Sequence, residues 1–411
     1  MAVKPADRLL FVIALAACGI ALVVTLLAPG DPEPPAGPEA LSLALYLAED
    51  SGLAVEDLEL LIAGYSRADD NADDASQIEI TINAEDRAPD ILIAGGQSLA
   101  AGIGAGLYLP LDRFDAVGSL PFAAAGNWAL PLVSAMDVFV YNIPLLQEAG
   151  FDRPPRTRGD VLSYARAVKA LDGGDRTQVR RYALALGLSP LDPRGLGRDV
   201  YSWFYTSGLL LPTGGKPEFG GRDYTQTLEF FSTLNNEGLI APGSFIATGA
   251  ERVEEFVRGS VAMMIVSARD LRYIRGKLGE ALGISLVPHA DTYAGRPVFG
   301  LATWYAAISA AGPHPDESWT LLRYLRERSA FLAESLALVP GTGVYNPYIP
   351  VDPLLDKAWG LYEAAELVPD FTSPGAPGDP DGAFRRELDR LFRSSVNAEE
   401  AAQAIRQSWE Q

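Results

Sequence analysis

Polar side chains stand at the ends of predicted strands, where a sequence can build a binding site. Asp50 follows the first apolar run after the N-terminal region, and Gly96 and Gln97 follow a short apolar strand. Arg269 follows a third, buried run. Ligands of open α/β sheets bind beyond the carboxyl ends of strands. A carboxylate or an amide can hydrogen-bond to hydroxyl groups, a glycine lets the backbone approach a ligand, and the fork of arginine suits a carboxylate, a phosphate or paired hydroxyls. The alternative is a solvated loop residue or, for Arg269, a surface ion pair.

Cysteine and histidine, which carry catalysis or bind metal in many proteins, are scarce. Cys18 is the single cysteine, and the two histidines, His289 and His314, lie in turn-like sequence without a second ligand at metal spacing. The glycine run 102–106 lacks the spacing of a nucleotide-binding loop, and a serine nucleophile elbow is absent. We therefore expect no enzyme activity, no cofactor and no metal site, although the many acids leave open the two carboxylates of a sugar hydrolase.

Alternating strands and helices must position the candidate residues, and this order predicts an α/β fold with a mainly parallel sheet. The predicted strands cover residues 41–47, 77–83, 90–94, 128–142, 261–266 and 299–309. The predicted helices cover residues 55–65, 143–150, 157–171, 224–237, 251–258, 316–336, 383–392 and 398–410.

Length and charge limit the class of protein. With 411 residues, of which 48% are hydrophobic, the chain is long enough for two cores, and two lobes or domains are expected. The formal net charge is −20 and the basic residues are scattered, so phosphate backbones would be repelled. We therefore expect no binding to nucleic acid.

The N-terminus predicts export and a membrane tether. Residues 9–28 are uninterrupted apolar sequence, long enough to cross a bilayer as a helix, with Lys4 and Arg8 before them. Cys18 closes a lipobox-like sequence, but the residues after it stay apolar. We expect a signal anchor in residues 1–28, with a lipoprotein acylated at Cys18 as the alternative. The Pro-rich residues 29–40 predict an extended linker, so the body would be tethered on the periplasmic or external side of the cell membrane.

Four segments, in matching order, resemble the family 1 extracellular solute-binding proteins of bacterial ABC importers. This group includes the maltose- and oligosaccharide-binding proteins. The segments are APDILI (88–93) with AGLYLPL (105–111), 129–142 with 146–155, EFVRGSVAMM (255–264), and WYAAIS (304–309) with WTLLRYL (319–325).

The resemblance implies the two-lobed periplasmic-binding-protein fold, of the type II or Venus-flytrap class, after an N-terminal transmembrane helix. Its hinge is crossed three times, and a solute is held in the cleft between the lobes. The implied lobe 1 comprises residues 41–130 and 300–343, the implied lobe 2 comprises residues 131–299 and 344–411, and the crossings fall near 129–132, 298–301 and 340–345.

The resemblance also implies ligand-binding residues. Trp203 and Trp304 lie where relatives offer aromatic rings on which sugars stack, although either could be a core residue. Two positions depart from the family pattern. Arg269 stands where many sugar binders have an aromatic residue, and the expected acid is displaced to Asp137, which could also be a solvated loop residue.

The function implied by the resemblance is capture of a small polar solute, expected to be a carbohydrate or a derivative. Hinge closure would trap the solute, and a monomer would deliver it to ABC permease subunits. The alternative is a sensory or scaffold protein of the same fold that signals to a membrane partner.

Overall fold

The computed structural model describes eleven stretches of the chain. They are residues 42–48, 53–68, 79–83, 87–114, 127–171, 180–192, 194–208, 222–341, 345–349, 351–369 and 380–410. The predicted anchor, Cys18, the Pro-rich linker and Asp50 lie outside these residues. Within them, none of the helices has the length and apolar character needed to span a bilayer.

Twelve strands and fourteen α-helices are present in the described stretches. The strands are β1 (Ser42–Leu47), β2 (Glu79–Ile82), β3 (Ile91–Gly95), β4 (Leu130–Ser134), β5 (Asp137–Asn142), β6 (Tyr182–Ala185), β7 (Val261–Ser267), β8 (Leu282–Ser285), β9 (Val298–Leu301), β10 (Thr303–Ile308), β11 (Val339–Pro340) and β12 (Glu366–Pro369). The helices are α1 (Val55–Ala68), α2 (Gly96–Gly104), α3 (Ile143–Glu148), α4 (Arg158–Ala170), α5 (Ser202–Tyr205), α6 (Arg222–Asn236), α7 (Gly243–Ile246), α8 (Gly249–Val257), α9 (Ala268–Leu278), α10 (Pro315–Glu327), α11 (Ser329–Leu336), α12 (Pro353–Glu363), α13 (Pro380–Phe392) and α14 (Ala398–Glu410).

Contacts divide the chain into two compact units. Unit 1 comprises Met1–Leu132 and Trp304–Ser329, and unit 2 comprises Val133–Thr303 and Ala330–Gln411. The chain therefore passes from one unit to the other three times. The predicted lobe boundaries stay a prediction, because the contacts end the second part of unit 1 at Ser329 and the sequence placed that boundary after residue 343.

Unit 1 contains strands that bury apolar side chains, among them β1, β3 and β10. Strand β1 pairs in parallel with β2 and β3, and β10 runs antiparallel to β3. The fully buried carboxylate of Asp90 accepts hydrogen bonds from the Ala44 amide at 2.9 Å and from Arg87 at 2.6 Å. This buried acid is satisfied by its partners and ties the start of β3 to β1.

Unit 2 contains a four-stranded sheet in the order β6-β7-β5-β8. Strand β7 is buried along its whole length and pairs in parallel with β6, whereas β5 is antiparallel to both β7 and β8. The expected mainly parallel sheet is therefore wrong for this unit. Helix α9 follows β7 and precedes β8. The two strands lie on opposite sides of β5, and both are antiparallel to it.

Three predicted elements are each divided in the structure, and one of them, the strand predicted at 299–309, is β9 followed by β10 with Ala302 between them. The strand predicted at 128–142 breaks at Ala135 and Met136, because the Ala135 amide donates to Ala302 O at 2.8 Å and Met136 O accepts from the Ala268 amide at 2.7 Å. The helix predicted at 316–336 is α10 followed by α11, because Arg328 between them leaves the helical conformation (φ −89°, ψ 0°).

A π-helical turn precedes the aromatic helix of unit 2. Leu196–Tyr201 forms the turn and continues into α5. A π-helical turn holds one residue more than an α-helical turn, and here it buries two adjacent charged residues, Arg198 and Asp199. All four residues of helix α5 are buried, and Trp203, Phe204 and Tyr205 belong to the core of unit 2.

Candidate functional site

Unit 1 places three of the predicted binding residues on neighbouring elements. Gly96 begins α2 directly after β3 and is buried, and Gln97 follows it in the helix. Trp304 lies on β10 directly opposite Gly95, with 2% of its surface exposed. The end of β3 and Trp304 are therefore adjacent, although the indole offers little exposed surface.

Unit 2 brings Asp137 and Arg269 to one edge of its sheet. Asp137 is the first residue of β5 and pairs in register with Ser267, the last residue of β7. Arg269 follows two residues later, in the first turn of α9, and is half-buried. Neighbouring strands lie about 4.8 Å apart, so the two segments that carry these residues are in direct contact.

The Asp137 carboxylate is buried but paired. It is 6% exposed, and Arg194 donates to it at 3.1 Å. Burial raises the pKa of Asp137 above its ordinary value, while the charges of Arg194 and Arg198 oppose that rise. A carboxylate that is held in place by one arginine keeps further lone pairs with which it can accept hydrogen bonds.

The start of α9 adds donors to the same edge. Ser267 is its N-cap residue but makes no cap hydrogen bond, and its buried Oγ has no hydrogen-bond partner among the described residues. The first amides of a helix also lack intrahelical acceptors and carry partial positive charge. Asp270, in the first turn, has a pKa raised by burial, against the opposing charge of Arg198. We call Asp137, Arg194, Ser267, Arg269 and Asp270 the edge site.

A buried network of charges lies beside the edge site. Arg198 donates to Asp199 at 2.5 Å and to Asp192 at 2.7 Å. Arg252, which has no exposed surface, donates to Asp199 at 2.7 Å and also to Asp192. Burial would raise the pKa of Asp192, but the two arginines together lower it below its ordinary value. Each of the two aspartates therefore has both arginines as ion-pair partners.

Trp203 lies in the hydrophobic core of unit 2. It has no exposed surface, and its ring packs edge-on to Phe139 and 5.0 Å from the ring of Phe230. Its backbone oxygen accepts a hydrogen bond from the buried Arg158. No face of the indole is exposed here, so a stacking role for Trp203 stays a prediction that the structure does not support.

Sequence reasoning missed Arg194 and the buried network. Arg198 and Asp199 stand within an otherwise apolar stretch, and two charges buried in such a stretch must be paired. That signal indicates burial but not the partners, since Arg252 lies far along the chain. The described residues contain no group of three or more His, Cys, Asp or Glu that could hold a metal ion.

A family model described as bacterial extracellular solute-binding protein matches residues 66–346, which is more than half of the chain. The chain belongs to the bacterial extracellular solute-binding proteins. The predicted family is thereby confirmed. Membership in a family of extracellular binding proteins also agrees with the expectation that the chain is not an enzyme.

A curated relative matches part of the chain. A probable ABC transporter-binding protein of Deinococcus radiodurans is 23% identical over 207 residues. The alignment covers 48% of this chain and 46% of that protein, so the chain matches less than half of its relative.

Solved structures of sugar-binding proteins share the fold of this solute-binding protein. The GacH receptor of Streptomyces glaucescens, solved unliganded and with acarbose, has a TM-score of 0.68 at 17% identity, covering 90% of this chain and 98% of the other. Maltose-bound MalE3 of T. maritima has a TM-score of 0.67 at 15% identity, covering 90% and 99%. An ABC transporter solute-binding protein of Thermotoga lettingae, bound with α-D-tagatose, has a TM-score of 0.68 at 17% identity, covering 90% and 100%. The chain therefore has the two-lobed α/β fold of periplasmic binding proteins.

Proposed function

We propose that this chain is the solute-binding component of an ABC importer and that its solute is a carbohydrate or a carbohydrate derivative. The family gives the binding role. The transporter partner is supported by the Deinococcus relative, and the solute class by the sugars in the solved structures. Action as a monomer and closure of the hinge on the solute remain predictions.

The edge site is the observation that carries this proposal. Asp137 and Asp270 can accept hydrogen bonds from hydroxyl groups, while Arg269 and the first amides of α9 can donate them. A sugar ring presents hydroxyls that both donate and accept, so a mixed set of charged partners suits it. In this proposal Asp50, Gly96, Gln97 and Trp304 remain predicted contributors from unit 1.

Loss of the Arg269 side chain should weaken sugar binding about ten- to hundredfold. A charge-assisted hydrogen bond shielded from water contributes about 1.5–3 kcal/mol, which gives that range of affinity. Isothermal titration calorimetry would compare the wild-type chain with Arg269→Ala, in a detergent without a sugar headgroup. The titrants are maltose, acarbose, D-tagatose and D-galacturonate, preceded by a thermal-shift screen.

Arg258→Ala is the matched control, since Arg258 is 71% exposed and its contact with Glu254 is 3.7 Å long. It should leave the affinity unchanged. Equal affinities of the wild type and Arg269→Ala would place the solute elsewhere than the edge site. If none of the four sugars binds, the proposed solute class is wrong.

We further propose that residues 9–28 tether the protein to the cell membrane. The support is the length of the apolar stretch and the basic residues Lys4 and Arg8 before it. An extracellular binding protein that is tethered in this way would stay close to its permease.

Protease added to intact spheroplasts should degrade the body of the protein, and the protein should fractionate with membranes. Mass spectrometry of the N-terminus then separates the two tethers: retained residues before Cys18 indicate a signal anchor, and a diacylglyceryl group on Cys18 indicates a lipoprotein. A protease-resistant protein in the soluble cytoplasmic fraction would contradict both.

A further inference from the structure

A cavity of about 440 Å³ lies within unit 2, where β8 ends. Its volume is within the range of small-molecule sites. The described residues that line it include no acid and no member of the edge site. Apolar side chains form much of the lining, among them Pro155, Leu286 and Leu361, and the polar part includes Arg156 and His289. We call this cavity the β8 cavity.

Backbone hydrogen bonds join the segments that form the β8 cavity. The His289 amide donates to Arg156 O at 3.0 Å, and the Arg158 amide donates to His289 O at 2.9 Å. The Ala290 amide donates to Thr206 O at 3.2 Å. Three separate parts of the chain are therefore held together here before any ligand enters, so little freedom remains to be lost on binding.

The ring of Tyr293 forms an aromatic wall of the β8 cavity. Its hydroxyl donates to Arg296 O at 2.7 Å. A Cβ atom at Gly208 would lie 2.7 Å from this ring, and a Cβ atom at Gly295 would lie 2.3 Å from its hydroxyl oxygen. The ring therefore packs directly against two glycines, which keeps it in place. An aromatic wall of this kind suits a flat apolar group.

Arg156 brings an unpaired charge to the β8 cavity. Its backbone groups are used, since its amide donates to Asp160 Oδ2 at 2.9 Å and its oxygen accepts from a backbone amide. Its exposed side chain makes no ion pair and no hydrogen bond in the part of the chain that the structure describes. Two acids on adjoining segments have other partners. Arg153 donates to Asp160 at 3.0 Å, and Asp291 accepts from the Gly159 amide at 3.2 Å.

A second cation is buried behind the wall of the β8 cavity. Arg158 is 4% exposed and donates to Thr227 Oγ1 at 2.9 Å and to Trp203 O, which are both neutral. Within the described stretches it forms no ion pair. Thr206, which lines the cavity, donates to the same Trp203 O at 3.0 Å. Burial lowers the pKa of Arg158 to about 10, so this group is still charged at neutral pH.

We propose that the β8 cavity is a second binding site, for a small organic carboxylate with a compact apolar body. The guanidinium of Arg156 would pair with the carboxylate, and the buried charge of Arg158 would favour an anion nearby. The apolar lining and the Tyr293 ring would remove the rest of the ligand from water. This site is separate from the edge site and does not depend on the proposed function.

A carboxylate and its amide test the inference, because 3-phenylpropanoate and 3-phenylpropanamide share a shape and differ in charge. Isothermal titration calorimetry on the full chain, with titrations into detergent alone subtracted, would measure both. The carboxylate should bind at least about fivefold more tightly at low salt. This preference should shrink in about 1 M NaCl, because an exposed ion pair is screened. Acetate, which lacks the apolar body, should bind at least about tenfold more weakly than 3-phenylpropanoate.

Arg156→Gln should remove the preference for the carboxylate and leave the affinity for the amide unchanged, because it removes only the charge. Leu361→Ala should weaken binding of both probes, because it removes apolar wall. Arg258→Gln, at the exposed C-cap of α8, is the matched control and should retain both affinities. Arg269→Ala should also retain them, because the edge site shares no residue with the β8 cavity.

The outcomes separate this inference from the proposed function. Equal binding of the carboxylate and the amide, binding of neither, or a preference that survives Arg156→Gln would overturn the inference and leave sugar binding untouched. Loss of 3-phenylpropanoate binding in Arg269→Ala but not in Arg156→Gln would place the anion at the edge site and also overturn it. A chain that binds no sugar but selects the carboxylate through Arg156 would count against the proposed function alone.

Discussion

Trp203→Ala is expected to lower the free energy of unfolding by about 3–5 kcal/mol, as for other large aromatic residues deleted from a core. The indole has no exposed surface and packs against Phe139 and Phe230. Its removal leaves a cavity that the sheet and helix around it can fill only in part. Urea unfolding, followed by circular dichroism, would measure the loss from the midpoint and slope.

Trp319→Ala provides a matched deletion at a half-buried tryptophan, whose ring stacks 5.7 Å from Phe114. Its cost should be smaller because less surface returns to water. A Trp203→Ala chain that is as stable as the wild type but has lost sugar affinity would contradict a core role for Trp203. Trp203 would then be the stacking residue that the family resemblance implied.

Arg252→Met should also cost about 3–5 kcal/mol, because it leaves buried carboxylates without one of their two arginines. Arg252 has no exposed surface and contacts both Asp192 and Asp199. Methionine keeps much of the apolar volume, so the loss reports the uncompensated charge. Urea unfolding at pH 7 would measure it.

The pH dependence of this loss has a definite sign. The folded-state pKa of Asp192 is lowered, so its stabilising effect is present above its unfolded pKa and is lost as the pH falls through the folded value. The deficit of Arg252→Met should therefore be largest near pH 7 and shrink below about pH 4. Arg258→Met, at the exposed helix surface, should cost under about 1 kcal/mol at either pH. An Arg252→Met chain as stable as the control would contradict the network.

Sequence patterns predicted the elements well where a local signal defines them. The apolar run 261–266 is strand β7, and the alternation at 77–83 contains strand β2. The family motifs then gave the class of fold, which periodicity alone would not have specified. The strand direction in unit 2 was not predicted, because apolar periodicity is the same in parallel and antiparallel pairs.

The candidate site was harder to predict, because it depends on contacts between distant residues. Arg269 was selected for its place after a buried strand, and the pairing of Asp137 with Ser267 places the acid on the same edge. Nothing local indicates that Arg194 contacts Asp137. Trp203 shows a second difficulty. The sequence shows that a tryptophan is present, but it does not show whether the ring faces a sugar or is buried in a core.

The π-helical turn at Leu196–Tyr201 bears on how relatives should be aligned with this chain. Each residue of an α-helix advances the side-chain direction by about 100°, and the wider π-helical turn accommodates one additional residue within a single turn. The turn allows Arg198 and Asp199 to enter the charge network while Trp203 enters the core. We expect a relative that is one residue shorter here to close this turn as an ordinary α-helical turn and to keep the direction of the following helix. We therefore expect a single-residue gap at this point when such a relative is aligned with this chain, and we expect the missing position to be one that the buried network uses.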